Sequence, residues 1–367
     1  MTPRRRATGS SHVVLIGAGH THLEVVRQAP QLARAGVDLT LVAPDTFVYS
    51  GLASAVVTGT AAMSEATVEV ARLARRNGVA HVRCRAEAVD PRARRVTAVS
   101  GDTIDYDVLS VNIGSVAAVG SMDVAVDVDA VKPFERLTAI RALIDTADAS
   151  GLVVSVVGGG ATGVELAGHL QQRFGRRAAI HLFERGPSLL ANFPPGAQAA
   201  TLRRFRRRGV TVHLDTPVCR LTTHGLDTGR RWHAHDVAVL ATGLVAHPDV
   251  ERMGLGGHDG IPVDETLQHV SYDDIYAVGD CAHRVDAPLP KIGVYAVRQG
   301  PVLVESLLAR RRGDALPRFA AADHVLQIVD LGDGTAVAAR GRRWFAGRLP
   351  RVVKRRIDRR WLDRYRC

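Results

Sequence analysis

Cysteine, lysine and aromatic residues are all scarce in this chain, and no long apolar run interrupts it. The four cysteines, Cys84, Cys219, Cys281 and Cys367, stand alone. None falls at CxxC or comparable spacing, so a disulfide framework, a zinc site and a dithiol redox motif have no support. Aromatics make up 5% of 367 residues, too few for a surface that stacks nucleobases, and no recognised motif accompanies the basic charge. A nucleic-acid partner is therefore not expected. No stretch approaches the roughly 18 consecutive apolar residues of a membrane-spanning helix. The run Arg4-Arg5-Arg6 lacks the apolar segment of a secretory signal after it. The expected location is cytoplasmic.

What is present is ordinary globular material: 46% hydrophobic and 23% charged residues. At roughly 100–200 residues per domain, two or three domains are expected. The net charge is +11, yet only Lys132, Lys291 and Lys354 are lysines; every other basic side chain counted is arginine. Much of the excess lies beyond Gly341.

Two stretches share one pattern. His12 to Ile16 is a short apolar run followed by Gly17-Ala18-Gly19-His20-Thr21-His22. Leu23, Val25, Val26, Ala29 and Leu32 then repeat at helical spacing, and Val37 to Val42 is the next strand. Further on, Leu152 to Val157 runs into Gly158-Gly159-Gly160-Ala161-Thr162-Gly163, a helix opening at Val164, and a strand from Ala178 to Phe183. Each is a β-turn-α-β unit of the kind that binds half a dinucleotide. Gly158 lies 141 residues after Gly17, room for one domain segment between them.

In the second unit Gly158, Gly160 and Gly163 fill all three glycine positions: a tight turn, a close approach to pyrophosphate, and tight helix–strand packing. Pyrophosphate would sit on the free N–H groups of the helix start. Glu184 stands 21 residues after Gly163, where an acid accepts hydrogen bonds from a ribose 2′-OH, so NADH is favoured over NADPH. Arg185 beside it is the feature that could instead meet a 2′-phosphate. The strand leading to Ala241-Thr242-Gly243 adds Gly243 to this nicotinamide side.

The first unit departs from the pattern. Gly17 and Gly19 are in place, but His22 occupies the third position, where a large side chain should push helix away from strand. Ala43 stands where the ribose-binding acid is expected, with Asp45 the nearest substitute. His20 and His22, like Asp45, count among the candidate FAD contacts of this loop, and they read as capping or packing residues more readily than as catalysts. Ile275 to Asp280 then reads as a strand ending in the turn Gly279-Asp280, which in two-dinucleotide flavoproteins places a carboxylate on the flavin ribityl chain. Lys291-Ile292-Gly293 opens a helix, and the backbone of Gly293 and Val294 is expected to stabilise negative charge on a reduced flavin.

The segments Gly17–Glu24, Tyr49-Ser50-Gly51, Asp107–Ser115 and Pro290–Pro301, with the tail Ile357–Arg360, resemble one group of flavoproteins: the pyridine nucleotide-disulfide oxidoreductase-like proteins often fused ahead of selenide, water dikinase. More widely, the chain resembles type II NADH dehydrogenases. The resemblance covers nearly the whole chain and implies FAD on the first loop, with Ser50 and Gly114 contributing, and NAD(H) on the second. It implies a two-domain α/β fold with two Rossmann-like domains, the NAD domain inserted in the FAD domain. The expected spans are 11–125 and 246–315 for the FAD domain, 126–245 for the NAD(H) domain, and 316–367 for a small closing sheet and basic helix. The kinase half is absent, and of the amides expected near a quinone only Gln299 stands, beside Val294 and Arg298.

The expected reaction takes hydride from NADH to FAD and passes electrons to an acceptor, with quinone leading. Hydride transfer needs no side-chain acid or nucleophile; Glu165 and Lys132 are the candidate side chains beside the nicotinamide and flavin. Sulfide oxidation through Cys281, a protein acceptor, and a non-catalytic flavin-binding sensor are the competing readings. In the tail, Val353, Ile357, Trp361 and Tyr365 recur every fourth residue, with arginines opposite. Residues 349–366 therefore read as a basic amphipathic helix for the inner membrane surface. Docking on the protein body or at a homodimer interface is the alternative.

Overall fold

The computed structural model describes residues 9–366, apart from 126–127, 131, 133–136 and 147–149. The Arg4–Arg6 run, Cys367 and the first residue of the expected nicotinamide domain lie outside the described residues.

Strands β1 (Ser11–Ile16), β2 (Val37–Val42) and β3 (Val108–Val111) lie side by side in parallel, Val14 pairing with both Thr40 and Leu109. They are short, buried runs of aliphatic residues, as parallel strands covered on both faces must be. The helical spacing after β1 is divided between α1 (His20–Arg27) and α2 (Ala29–Arg34). Pro30 causes the break: it has no N–H to continue the ladder, and its ring clashes with the preceding turn.

The second unit runs through β4 (Leu152–Val157), α3 (Ala161–Phe174), β5 (Ala178–Phe183) and β6 (Val237–Leu240). These strands form the centre of a second, five-stranded sheet, in which every pairing is parallel. The chain then returns: β7 (Tyr272–Ala277) pairs in parallel with β3, completing the first sheet of eight strands. One doubly wound sheet is thus inserted between strands of another. Helix α4 (Gly293–Arg312) packs against α1 in the first core.

A meander of β8 (Gln327–Asp330), β9 (Ala336–Arg340) and β10 (Arg343–Gly347) follows, its first hairpin turning at Gly332 and Gly334, both with positive φ. The sheet docks on α3, where a Cβ on Gly168 would lie 2.5 Å from the Leu331 carbonyl oxygen. Helix α5 (Arg348–Asp363) closes the chain. It does not present one apolar face. Trp361, Leu362 and the following Tyr365 are buried in the first core, whereas Leu349, Val352, Val353 and Ile357 are exposed. Among the described residues, no helix is long and apolar enough to cross a membrane.

Candidate functional site

The first glycine loop and the first turns of α3, directly after Gly160 of the second loop, line one cavity of about 730 Å³; the glycines of the second loop and Glu184 are not among its lining residues. From the first sheet it is lined by Gly17, Gly19, His20, Ser50, Gly114, Asp280 and Gly293; from the second unit by Ala161, Thr162 and Glu165; and from α5 by Lys354.

At the first loop, Gly17 has a φ of 85°, and a Cβ there would lie 2.5 Å from the Asn112 carbonyl oxygen. The Gly19 N–H donates to that oxygen at 3.3 Å. Asn112 also fixes the loop with its side chain, which accepts from the His22 N–H at 3.3 Å and donates to the Val278 carbonyl at 2.7 Å. His22 does not displace the helix. Its Nδ1 lies 2.6 Å from Gly17 O and its Nε2 2.8 Å from Ser110 Oγ, so the ring bridges loop to strand. The small Ser110 on β3 supplies both the room and the partner. Burial lowers the imidazole pKa to about 4, leaving it neutral. His22 is fully buried behind the loop and does not line the cavity, which corrects its expected place among the cofactor contacts.

Asp280 follows Gly279, whose φ is 70°. Its Oδ2 accepts from Lys132 Nζ at 2.8 Å and Ser115 Oγ at 2.7 Å. Burial raises its pKa, but the Lys132 charge and these hydrogen bonds outweigh burial and hold it below the usual carboxylate range. His20 sits beside this pair, its pKa lowered to about 4 mainly by burial. A Cβ on Gly293, the first residue of α4, would lie 3.7 Å from Ser50 Oγ and 3.8 Å from His20. Val294 packs into the core instead of lining the cavity. Asp45 is turned toward Arg83, 2.7 Å away, and is not among the lining residues.

At the second loop, Gly158 has a φ of 113°, and a Cβ on Gly163 would collide with the Gly158 carbonyl oxygen. Gly160 precedes α3, and a Cβ there would meet only open space, as does that of Gly243. Glu184 accepts from the Gly159 N–H at 2.7 Å and the Gly186 N–H at 2.8 Å, which holds its carboxylate against the loop. Arg185 is exposed. Glu165, in the first turns of α3, is partly buried and accepts from the Asp330 N–H at 2.9 Å. Burial is the main cause that raises its pKa, against Lys354, whose Nζ is 3.8 Å away.

Lys291, Lys354 and Thr162 line the cavity without having been expected from the sequence, and Tyr49 and Asp358 support Lys354 from behind it. Lys291 donates to the Asp280 carbonyl at 2.6 Å, and burial lowers its pKa. Lys354 donates to Gly51 O at 2.6 Å and Asp358 Oδ2 at 3.0 Å, while Tyr49 donates to Asp358 Oδ1 at 2.9 Å. Thr162 lies at the start of α3. One signal for the lysines was available: all three lysines of the chain line this cavity. A compact ammonium has a tunable pKa that a guanidinium lacks.

The residues present fit a flavin dinucleotide beside a nicotinamide dinucleotide. At each loop, glycines stand where a Cβ would collide with neighbouring backbone, as at Gly17, Gly158 and Gly163, and an acid stands near each: Asp280 on the cavity wall and Glu184 against the Gly159 N–H. Among the described residues no cysteine pair is assembled: Cys84, Cys219 and Cys281 are all free, and Cys281 is buried, its thiol pKa pushed up by burial.

Residues 11–300 match the family described as pyridine nucleotide-disulphide oxidoreductase. Proteins named type II NADH:quinone oxidoreductase from Staphylococcus saprophyticus and Staphylococcus aureus are each 24% identical to this chain, over 94% of both lengths. Among solved structures, NDH2 from Plasmodium falciparum in complex with NADH superimposes with a TM-score of 0.83 at 14% identity, covering 96% of this chain and 95% of that one. The sulfide:quinone oxidoreductase of Aquifex aeolicus gives 0.82 at 17% identity, covering 97% and 92%.

Proposed function

Because the chain belongs to the pyridine nucleotide-disulphide oxidoreductase family, we propose that it is an FAD-dependent NADH dehydrogenase that passes electrons on to a quinone. One observation supports this reading: the first glycine loop and the start of α3, directly after the second loop's Gly160, line a single cavity, so cofactors held by the two loops would meet there. Gly17, Gly19, Ser50, Gly114, Asp280 and Gly293 hold FAD, with Asp280 on the ribityl hydroxyls. Gly158, Gly160, Gly163 and Glu184 hold NADH, with Glu184 on the adenosine ribose. When bound, these cofactors supply the hydride chemistry itself.

The protein's own groups orient the partners and handle charge. The start of α4 at Gly293 and the ammonium groups of Lys132 and Lys291 place positive potential along the flavin side. Glu165, its pKa raised chiefly by burial, is a carboxyl that holds a proton at the cavity wall more readily than an exposed glutamate does. Lys354 stands beside it and stabilises the ionised form once the proton has left. The buried, inert Cys281 speaks against sulfide as the electron donor.

We further infer a peripheral membrane position. Trp344 and Phe345 on β10 join Leu349, Val352, Val353 and Ile357 on α5 as exposed apolar residues, amid Arg342, Arg343, Arg355, Arg356 and Arg359. That combination suits an anionic lipid surface, where quinone resides. Phe345→Asp with Val352→Asp should abolish sedimentation with vesicles containing 30% phosphatidylglycerol, while flavin reduction in solution persists. Unchanged sedimentation refutes the membrane reading, and a monomer–dimer shift would assign the patch to a homodimer.

The test of the central claim is direct. Protein purified with its bound cofactor should release FAD on denaturation, bleach at 450 nm on mixing with NADH, and reduce a soluble quinone. No bleaching at millimolar NADH refutes the dehydrogenase reading.

A further inference from the structure

Resting on the quinone-reducing reading above, we propose that His169, with Asp330, carries protons from the protein surface at Thr60 to Glu165 at the cavity wall. The reaction needs such a route. NADH and a quinone become NAD⁺ and a quinol only when one proton joins the hydride, and that proton comes from solvent.

His169 and Glu165 lie four residues apart on α3, so they share one helix face. His169 is buried and Glu165 partly so, and they differ in what they reach. Glu165 borders the cavity, and its Oε1 accepts from the Asp330 N–H at 2.9 Å. His169 has its Nε2 3.8 Å from Asp330 Oδ1 and its Nδ1 3.1 Å from Thr60 Oγ1. Thr60 is exposed. Lys354 lies 3.8 Å from Glu165 Oε1 and within electrostatic range of Asp330, so its charge spans the last step. Proton-bearing groups therefore run without a gap wider than 3.8 Å from the surface hydroxyl to the Asp330 carboxylate, which shares the field of Lys354 with Glu165.

The contrast with His22 separates a relay from a packing residue. His22 is sealed at both nitrogens by buried partners, Gly17 O and Ser110 Oγ. His169 joins a carboxylate on one side to an exposed hydroxyl on the other, the arrangement a shuttle requires. The groups that face it are Asp330 on β8, Arg351 and Lys354 on α5, and Arg208 on the helix Pro195–Arg208. Burial lowers its pKa; Asp330 opposes this, and the three cations reinforce it. The imidazole is thus neutral at rest. It takes a proton at Nδ1 and releases one from Nε2 to Asp330. Arg351 Nε, 3.0 Å from Asp330 Oδ2, fixes that carboxylate in place.

The test uses the full chain with its cofactor bound, comparing wild type with His169→Gln, which keeps the hydrogen bonds but cannot shuttle. Two acceptors are used: a soluble quinone, which needs protons, and ferricyanide, which does not. The relay predicts that quinone reduction falls about 10-fold or more in His169→Gln, while NADH bleaching and ferricyanide reduction stay within twofold of wild type. Added imidazole should restore quinone reduction in His169→Ala. Independently of turnover, the ¹⁵N-histidine NMR titration of His169 should shift when Glu165 is changed to Gln. Equal losses with both acceptors, or an unchanged quinone rate, overturn the relay while leaving the dehydrogenase reading intact. Wild-type protein that bleaches with NADH but reduces no quinone sinks both.

Discussion

Replacing Glu184 with Gln is expected to separate two things that one carboxylate does. Its oxygens hold the second loop through the Gly159 and Gly186 N–H groups at 2.7 and 2.8 Å, and on the proposed reading they present negative charge to the adenosine ribose of NADH. Glutamine keeps one acceptor oxygen, so one of those N–H groups faces an amide NH₂. Exchanging charged for neutral hydrogen bonds weakens NADH binding by about 1–1.5 kcal/mol, or roughly 5- to 10-fold in KM. The nicotinamide end is untouched, so kcat should hold. For NADPH the sign reverses. A carboxylate about 4 Å from a 2′-phosphate is repelled by about 4 kcal/mol at an effective dielectric of 20. Glu184 is half-buried and screened by salt, which leaves about 1.5–3 kcal/mol. Removing that repulsion should improve kcat/KM for NADPH by roughly 10- to 150-fold, with the exposed Arg185 free to meet the phosphate. Initial rates with both nucleotides at 0.15 M ionic strength provide the assay. If NADPH remains as poor a substrate as in wild type and KM for NADH is unmoved, Glu184 does not read the ribose.

Two further outcomes concern stability. His22 has its folded-state pKa lowered from 6.5 to about 4, so the unfolded chain binds the extra proton between those values and stability falls as pH drops from 6.5 toward 4. The full effect is roughly 3 kcal/mol, and the gap between urea midpoints at pH 7 and pH 4.5 should narrow in His22→Gln; an unchanged gap would show that other groups dominate. Trp361 stacks on Tyr49 at 4.5 Å and is only 6% exposed, so Trp361→Ala should cost about 3–5 kcal/mol by urea denaturation, and a loss under 1 kcal/mol would mean that the end of α5 does not belong to the core.

What could be read in advance follows from how far each interaction reaches along the chain. The two βαβ units are local: a strand, a glycine turn and a helix lie within about 30 residues, and the glycines report their own steric need, as the collision of a Gly163 Cβ with Gly158 O shows. His22 was misjudged because its partner is Ser110, 88 residues away, and nothing in a local pattern says that a serine will face it. The tail was legible in part. Its four-residue apolar repeat was legible, but a repeat gives periodicity and not the number of surfaces that a helix meets. Helix α5 meets three: the first core through Trp361 and Leu362, the cavity through Lys354, which Asp358 supports, and solvent or lipid through Val352, Val353 and Ile357. A stripe of Val353, Ile357 and Trp361 is therefore cut across by the change of environment along it. Lys354 and Asp358 occupy the side that the amphipathic reading had assigned to exposed charge. They are charged because Glu165, Gly51 and Tyr49 wait for them in elements some 190 to 310 residues earlier in the chain. The rarity of lysine was the available trace. Where arginine is the default cation, a lysine marks a place where a guanidinium would not fit or would not titrate, and here all three such places open on the cavity.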